Sequence, residues 1–398
     1  IIEGVAAREP DSETLRRGPR WEAAFDDEGN PTKPLQGFMR GQGVELDDIV
    51  KETFGKNEHA CVRLPAPGRS VYEVLASIIE KTVTGLRAEK NMRWRDPRLS
   101  FSRAIRWLLA LWGTQVVPVR ISSLETGRST VLQRSTGTSP EQRPDGTRLG
   151  QVDVASAADY LDVLAAGKIV ASTEERRAIV VEQAVKLAGS VGGTIDLEAN
   201  ASVIDEITNL IEEPHGVIGS FDQRYLELPD LIITSVMASH QRYLPVRDSN
   251  GQLMPHFVTI ANGACDEELV ATGNESVIRA RYEDALFFWD ADLKVESVEE
   301  FIPGLDQLTF ENRLGSMALR ARRIADVATK FADAIQLDDE SRKVLNRAGK
   351  LAKFDLATSL VVEMSDLAGF VAREYALRKG EPQAVADALY EMEQPHTT

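Results

Sequence analysis

Hydrophobic and polar residues alternate over two short runs, 243–247 and 254–260, on either side of the segment 248–251. Such alternation is typical of half-buried strands, and the Asn250-Gly251 pair supplies the left-handed backbone that a tight reversal needs. The pattern therefore predicts a β-hairpin formed by these two runs.

A helical pattern follows the hairpin. Apolar residues recur there every three or four positions, at Ile278, Tyr282, Ala285 and Trp289. This spacing predicts a helix with one buried face, and Asn274 is of a type that caps helix N-termini. We therefore expect the helix to begin at Asn274, with Arg279 and Arg281 flanking its buried stripe.

Periodic patterns elsewhere predict two further short strands, 60–64 and 116–121, and two amphipathic helices, 70–82 and 173–187. The first of these helices has an apolar side that includes Ile78, and the second opens with Ser172 at its N-cap. The last third of the chain has almost only helical periodicity. Together the patterns predict a multi-domain α+β protein.

The chain has 398 residues, too many for one ordinary core, and its 43% hydrophobic and 27% charged residues are typical of a folded protein. Shifts in composition predict a mixed N-terminal α+β region at 1–113, a second α+β domain at 114–271 and a helical domain at 272–398. The run 133–150, rich in Ser, Thr, Pro and Gly, is predicted to be a loop. Because the chain begins at Ile1 without Met, we expect it to be a fragment.

Charge is unevenly distributed. The formal net charge of −16 excludes a generally basic nucleic-acid binder, so any RNA affinity must depend on local basic patches. One patch, 87–106, has seven basic against two acidic residues, with Trp94 and Phe101 interleaved. Trp107, directly after it, is predicted to lie in the core. A second patch, 320–353, has nine basic against five acidic residues.

The two cysteines, Cys61 and Cys265, lie far apart and have no CxxC spacing. Neither a disulfide framework nor a thiolate metal site is expected, which fits a reducing compartment. No apolar run approaches the roughly 20 residues that a membrane span needs. These features predict a cytoplasmic protein without membrane contact.

Short motifs follow one another in an order that resembles the β subunit of the bacterial two-subunit glycyl-tRNA synthetase, over nearly the whole chain. They lie at 17–19, 24–26, 29–32, 37–38, 92–94, 103–107, 206–210, 219–222, 228–229, 240–243, 310–316 and 352–356. The resemblance implies a B3/B4-like domain in the middle and a helical HD-like domain at the end. At 132–135 the chain departs from the family, since only Arg134 matches the family's four-residue motif there.

The resemblance also implies a division of labour. A separate α subunit would activate glycine with ATP and Mg²⁺, while this chain would bind tRNA-Gly and support an α2β2 assembly. We expect no catalytic residue, metal or cofactor in this chain, and no DNA or membrane partner. The glycines at 189–193 follow a predicted helix instead of preceding one, which is the wrong polarity for phosphate binding.

The predicted tRNA-binding residues lie in the first basic patch, in the hairpin motif and on the helix after it. They are Arg93, Arg103, Arg106, His240, Arg242, Arg279 and Arg281. Such side chains bind phosphates and stack on exposed bases. Structural roles are the alternatives: Arg279 could pair with Glu283, Arg281 with Asp284, and His240 could brace the start of the hairpin.

Two other classes of function stay open. An HD-type phosphohydrolase holds divalent metals with histidine and aspartate together, whereas none of the five histidines here adjoins an aspartate, and only His396 lies in the last third. Asp355 is instead expected to cap a helix or pair locally. The third class is a purely structural module that joins the α subunit to another region.

Overall fold

The computed structural model describes residues 1–93, 96, 99–132 and 150–394. Backbone contacts divide the described residues into two compact units, 1–132 with 150–166, and 167–394. Both units contain helices and strands, which confirms the α+β class. Trp94, His396 and most of the predicted loop, 133–149, lie outside the described residues.

Three antiparallel strands in the order β1–β3–β2 form the main sheet of the first unit. They are β1 (Ser12–Arg20), β2 (Ile49–Phe54) and β3 (Asn57–Ala66). The helices of this unit are α1 (Trp21–Ala24), α2 (Lys33–Gln42), α3 (Val71–Gly85) and α4 (Tyr160–Ala166). Its short strands are β4 (Met92–Arg93), β5 (Ser100–Phe101), β6 (Leu108–Leu109), β7 (Leu111–Trp112), β8 (Gln115–Val116), β9 (Arg120–Ile121), β10 (Leu124–Gly127), β11 (Ser129–Val131) and β12 (Gln151–Asp153).

Close approach explains the glycine in the motif 17–19. A Cβ on Gly18 would lie 2.6 Å from the carbonyl oxygen of Ala60 and 2.8 Å from the ring of Phe38, so only glycine lets β1, β3 and α2 pack together here. The predicted strand 60–64 is confirmed within β3.

The predicted helix at 70–82 is confirmed as α3, which Ser70 caps by accepting a hydrogen bond from the backbone N–H of Glu73. Of the predicted apolar side of this helix, Ile78 is wrong. Ile78 is 52% exposed, whereas its neighbour Ile79 packs on the cluster around Val117. Val71 is buried and Leu75 packs on the same cluster, so the rest of the buried face includes residues of the predicted side.

The second unit has one three-stranded sheet, a small strand pair and most of the helices. Its strands are β13 (Pro214–Ser220), β14 (Leu244–Arg247), β15 (Leu253–Asn262), β16 (Thr309–Glu311) and β17 (Gly315–Ser316). Its helices are α5 (Thr173–Ser190), α6 (Ala201–Leu210), α7 (Asp230–Ser235), α8 (Glu267–Asp292), α9 (Met317–Ala334), α10 (Asp339–Lys350), α11 (Ser359–Glu363), α12 (Phe370–Arg378) and α13 (Gln383–Glu391).

The antiparallel sheet β13–β15–β14 is covered on both faces. Successive residues of a strand point to opposite faces, and Val258 packs with α5 and α6 while its neighbour Phe257 packs with α8. The predicted hairpin is confirmed as β14 and β15. In its turn, Asp248 accepts hydrogen bonds from the backbone N–H groups of Asn250 and Gln252, and Gly251 takes a φ of +79°.

The predicted helix at 173–187 is confirmed as α5, capped by Ser172. The buried stripe predicted on α8 is also confirmed, but the predicted start of α8 is wrong. The helix begins at Glu267, where the carboxylate of Asp266 accepts a hydrogen bond of 3.0 Å from the N–H of Leu269, and Asn274 lies inside it.

The largest core of the second unit joins α8 to the sheet and to the last helices. It includes Phe257 from β15, Tyr282 from α8 and Tyr375 from α12, all fully buried. Because α8 runs without a break through 271 and 272, the sheet and the helical region share this core. The division into three domains stays a prediction.

Candidate nucleic-acid interface

Three of the predicted arginines lie close in sequence around the ribbon of β4 and β5. Arg93 stands opposite Ser100 in this ribbon, and Arg103 follows two residues after its end. Arg93, Arg103 and Arg106 are all exposed, and none of them makes a salt bridge to a described residue. Their guanidinium groups are therefore available for phosphate contacts.

Arg106 also lines a cavity of 310 Å³ in the first unit. Most of the lining is apolar, with Val83, Phe101, Ile105, Leu108, Ile121 and Leu124 among its members, and Ser122 and Ser123 add hydroxyl groups. Asp96 lines the cavity as well, so the guanidinium of Arg106 is accompanied there by one carboxylate and the cavity has no net positive charge.

The turn that carries Ser122 had no signal in the sequence. Ser122 takes a left-handed φ of +57° between β9 and β10, a conformation for which Gly or Asn would be the usual sequence marker. The core position predicted for Trp107 is wrong, because this side chain is 41% exposed beside Arg106. An exposed Trp adjacent to exposed arginines is an arrangement that single-stranded nucleic-acid sites use.

Helix α8 presents Arg279 and Arg281 on opposite flanks. Both are exposed, and two residues along an α-helix turn the side chain through about 200°. The predicted pairs with Glu283 and Asp284 are not formed among the described residues. Glu283 is instead bound by Arg224 and by the hydroxyl of Tyr225 at 2.8 Å.

The segment 236–241 is a wide helical turn of π type, and the backbone of His240 lies in it, ahead of β14. Arg242 ends this turn with a left-handed φ of +55°. Its Nε donates a hydrogen bond of 2.6 Å to Glu206 on α6, and about half of each side chain is exposed. Exposed pairs contribute only about 0–1 kcal/mol, so RNA phosphate can compete for Arg242.

Two hydrogen-bonded contacts join family-motif segments to the helices α6 and α8. Besides the pair of Arg242 and Glu206, Glu275 on α8 accepts hydrogen bonds from the N–H of Ser220 at 2.8 Å and from its hydroxyl at 2.9 Å. These contacts fix the end of β13 and the start of β14 to α8 and α6. They position Arg242 and orient α8 with its two flanking arginines.

The described part of the chain has no metal-binding geometry. No group of three or more His, Cys, Asp or Glu side chains is placed there to hold an ion. Asp355 is buried and accepts a hydrogen bond from the N–H of Gly369, which confirms its predicted local pairing. Among the described helices, none is long and apolar enough to cross a membrane.

Fold and exposed residues together describe an α+β protein in which each unit has exposed arginines, in an otherwise acidic chain. A model of the glycyl-tRNA synthetase beta subunit family matches residues 1–398. The chain is 38% identical over 397 residues to the glycine–tRNA ligase beta subunit of Syntrophus aciditrophicus, a match that covers 100% of the chain and 55% of that relative.

Two further relatives agree. The beta subunit of Bacillus subtilis is 33% identical over 399 residues, covering 100% of the chain and 56% of the relative. The chloroplastic/mitochondrial glycine–tRNA ligase 2 of Arabidopsis thaliana is 36% identical over 395 residues, covering 99% of the chain and 36% of the relative. The chain belongs to the glycyl-tRNA synthetase β-subunit family. It spans about half the length of the bacterial relatives it matches.

Proposed function

We propose that this chain is a tRNA-binding part of a glycine–tRNA ligase that works with a separate α subunit in an α2β2 assembly in the cytoplasm. The match of the family model to every residue supports this proposal most directly. The exposed arginines add to it, because an acidic chain that binds RNA must concentrate its unpaired cations locally.

The contribution of this chain is recognition and positioning of tRNA-Gly. ATP and Mg²⁺ would be used by the α subunit, as the resemblance to the family implies. The glycines at 189–193 lie at the C-terminal end of α5, where the helix dipole repels phosphate. We therefore assign no chemical step to residues of this chain.

The geometry of α8 makes the proposal more specific. Because Arg279 and Arg281 lie on opposite flanks, a single RNA strand that follows one side of the helix contacts one of them. We expect one of the two single substitutions Arg279→Ala and Arg281→Ala to weaken binding more than the other. Equal effects would instead indicate RNA on both flanks.

Fluorescence anisotropy with a labelled tRNA-Gly transcript tests the proposal. The chain, alone and with the α subunit, is titrated at several salt concentrations between about 50 and 200 mM. We expect the logarithm of the association constant to fall linearly with the logarithm of the salt concentration. If the chain binds the α subunit but neither the chain nor its complex with α binds tRNA more tightly than α alone, the purely structural role replaces this proposal.

A further inference from the structure

Helix α9 buries mostly small residues and exposes several large ones. Its buried positions are Ala318, Ala321 and Ala332 together with Met317, and Ile324 packs against the same core, whereas Val327 is 65% exposed and Phe331 is 61% exposed. A surface helix of a monomer normally shows the reverse distribution, with its large apolar residues toward the core. The outer face of α9 therefore has the composition of a contact surface.

Four exposed apolar residues lie in one series of every fourth position along α9 and its C-cap, and Arg323 fills the remaining position of that series. Leu319, Val327, Phe331 and Ile335 are 42%, 65%, 61% and 52% exposed, and they are separated by multiples of four positions. At 1.5 Å per residue the row is about 24 Å long, which corresponds to more than four helical turns. We call these four side chains the α9 row.

The inner face of α9 packs against α10, which fixes the orientation of the helix. Ala325 packs so closely on α10 that a Cβ on Gly349 would lie 3.3 Å from it, and Ser316 caps the helix by accepting a hydrogen bond from Leu319 N–H. The α9 row is consequently held in place without contributing to the core. Its exposure is a fixed property of this unit.

Cations surround the α9 row. Arg322, Arg323 and Lys330 are exposed on α9, as are Asp326 and Asp333, and Asp333 is paired with Arg342 of α10. Arg320 lies over the ring of Phe310 at 4.4 Å, and Arg323 donates a hydrogen bond to the carbonyl oxygen of Leu314. The net positive charge of this face contrasts with the −16 of the whole chain.

We propose that the α9 row is a docking surface for an amphipathic helix of another protein, whose apolar stripe is flanked by Asp and Glu. Helix-in-groove recognition reads apolar residues at intervals of three and four positions, and Val327, Phe331 and Ile335 follow one another at intervals of four. Acidic flanks on the partner would face Arg323 and Lys330 across a typical interhelical distance of about 8–10 Å.

Other occupants fit less well. RNA gains little from Val327 and Ile335, because aliphatic side chains have no ring on which a base can stack. A second copy of this chain, docked symmetrically, would place Arg323 and Lys330 against the same cations of its partner. An anionic lipid surface would be repelled by the strongly acidic remainder of the chain.

Two synthetic helical peptides of about 24 residues test the proposal with the full chain. They share one Leu stripe and differ only in their flanks, which are Glu in one peptide and Lys in the other. We expect the Glu peptide to bind at least about tenfold more tightly by anisotropy, and the substitution Phe331→Asp to weaken it by about tenfold or more. The double substitution Arg323→Glu/Lys330→Glu should reverse the preference between the peptides.

Phe287→Asp is the matched control, since Phe287 is 68% exposed on α8 and lies outside the α9 row. It should leave peptide binding unchanged, and both variants should keep the urea midpoint of the parent chain. Equal binding of the two peptides, or equal effects of the two Phe substitutions, would overturn the proposal. Binding to phosphatidylserine vesicles or to tRNA that is lost only with Phe331→Asp would assign the α9 row to lipid or RNA instead.

Discussion

The hydroxyl of Tyr225 donates a hydrogen bond of 2.8 Å to the carboxylate of Glu283, 58 residues later in the chain. Arg224 binds the same carboxylate. The carboxylate of Glu283 therefore binds residues outside α8. It does not form the ion pair with Arg279, one turn earlier on α8, that helical spacing favours. The contact links the fold of this unit to the availability of a candidate RNA-binding side chain.

A double-mutant cycle on this contact has a defined expectation. Tyr225→Phe and Glu283→Ala should each lower the free energy of unfolding, and the double variant should lose less than their sum by about 0.5–1.5 kcal/mol, since both remove the same hydrogen bond. Urea denaturation measures the four free energies. Strict additivity would mean that the hydroxyl and the carboxylate do not interact in solution.

Asp292 ties the end of α8 to two other helices. Its carboxylate accepts hydrogen bonds of 3.0 Å from the N–H groups of Ser359 and Leu360 at the start of α11, and of 3.1 Å from the hydroxyl of Tyr375 on α12. Asp292→Ala leaves these buried donors without an acceptor and should cost about 3 kcal/mol or more. Tyr375→Phe removes one of the three bonds and should cost about 1 kcal/mol. A loss below about 1 kcal/mol for Asp292→Ala in urea denaturation would contradict this role.

Asp355 gives stability a particular dependence on pH. Burial raises its pKa above the ordinary 3.8, and this effect outweighs the hydrogen bond from Gly369 and the nearby Lys353. Above about pH 4 the folded protein therefore holds a proton that the unfolded chain releases, and stability falls as pH rises through the folded pKa. Asp355→Asn should abolish this decrease, so the variant gains stability relative to the parent as pH rises.

Asp338 is the control for this experiment, because its pKa is shifted in the direction opposite to that of Asp355. The hydrogen bond from the N–H of Ser341 lowers the pKa of Asp338, the N-cap of α10, so its contribution is present above pH 3.8 and is lost as pH falls through the folded pKa. The free energy of unfolding of Asp338→Asn should differ from that of the parent above pH 3.8. The two values should converge as pH falls below the folded pKa of Asp338. Parallel stability curves for parent and Asp355→Asn, measured from about pH 4 to 8, would show that Asp355 does not titrate as described.

Two glycines in family motifs should respond oppositely to alanine. A Cβ on Gly219 would lie 2.4 Å from the ring of the fully buried Phe257, so Gly219→Ala should destabilise the fold by about 1–3 kcal/mol. Gly37 lies inside α2, where a Cβ would meet no atom within 4 Å, and Gly37→Ala should stabilise by up to about 1 kcal/mol. Thermal and urea unfolding of the two variants measure both stability changes. A lower stability of Gly37→Ala than of the parent chain would contradict the open space beside Gly37.

Local signals in the sequence were sufficient for the hairpin and for the buried stripe of α8. The turn residues around Gly251 and the spacing from Ile278 to Trp289 act over a few positions, so they can be recognised without a fold. The start of α8 was missed because Gly273 and the lack of a large buried residue before Ile278 suggested a break. Asp266, followed by two glutamates, was the capping signal that marks the true start.

The partners of the candidate arginines could not be predicted in the same way. Arg242 pairs with Glu206, 36 residues away, and Arg224 takes Glu283 from a distance of 59 residues. Helical spacing favoured ion pairs of Arg279 with Glu283 and of Arg281 with Asp284. Tertiary packing instead brought Arg224 to the carboxylate of Glu283. The exposure of Trp107 likewise depends on the ribbon of short strands around it, which no periodicity in that segment reveals.

The affinity of the chain for tRNA-Gly, with the exposed arginines reversed in charge, tests the central claim most directly. Arg103→Glu/Arg106→Glu and Arg279→Glu/Arg281→Glu are compared with Arg16→Glu/Lys186→Glu, a pair of exposed cations outside the candidate interface that gives the same change in net charge. We predict that the site variants weaken binding at least about tenfold beyond the control and reduce the salt slope by about one unit per lost phosphate contact. Equal losses in all three variants would show that only net charge matters, and would contradict a localised tRNA site on these residues.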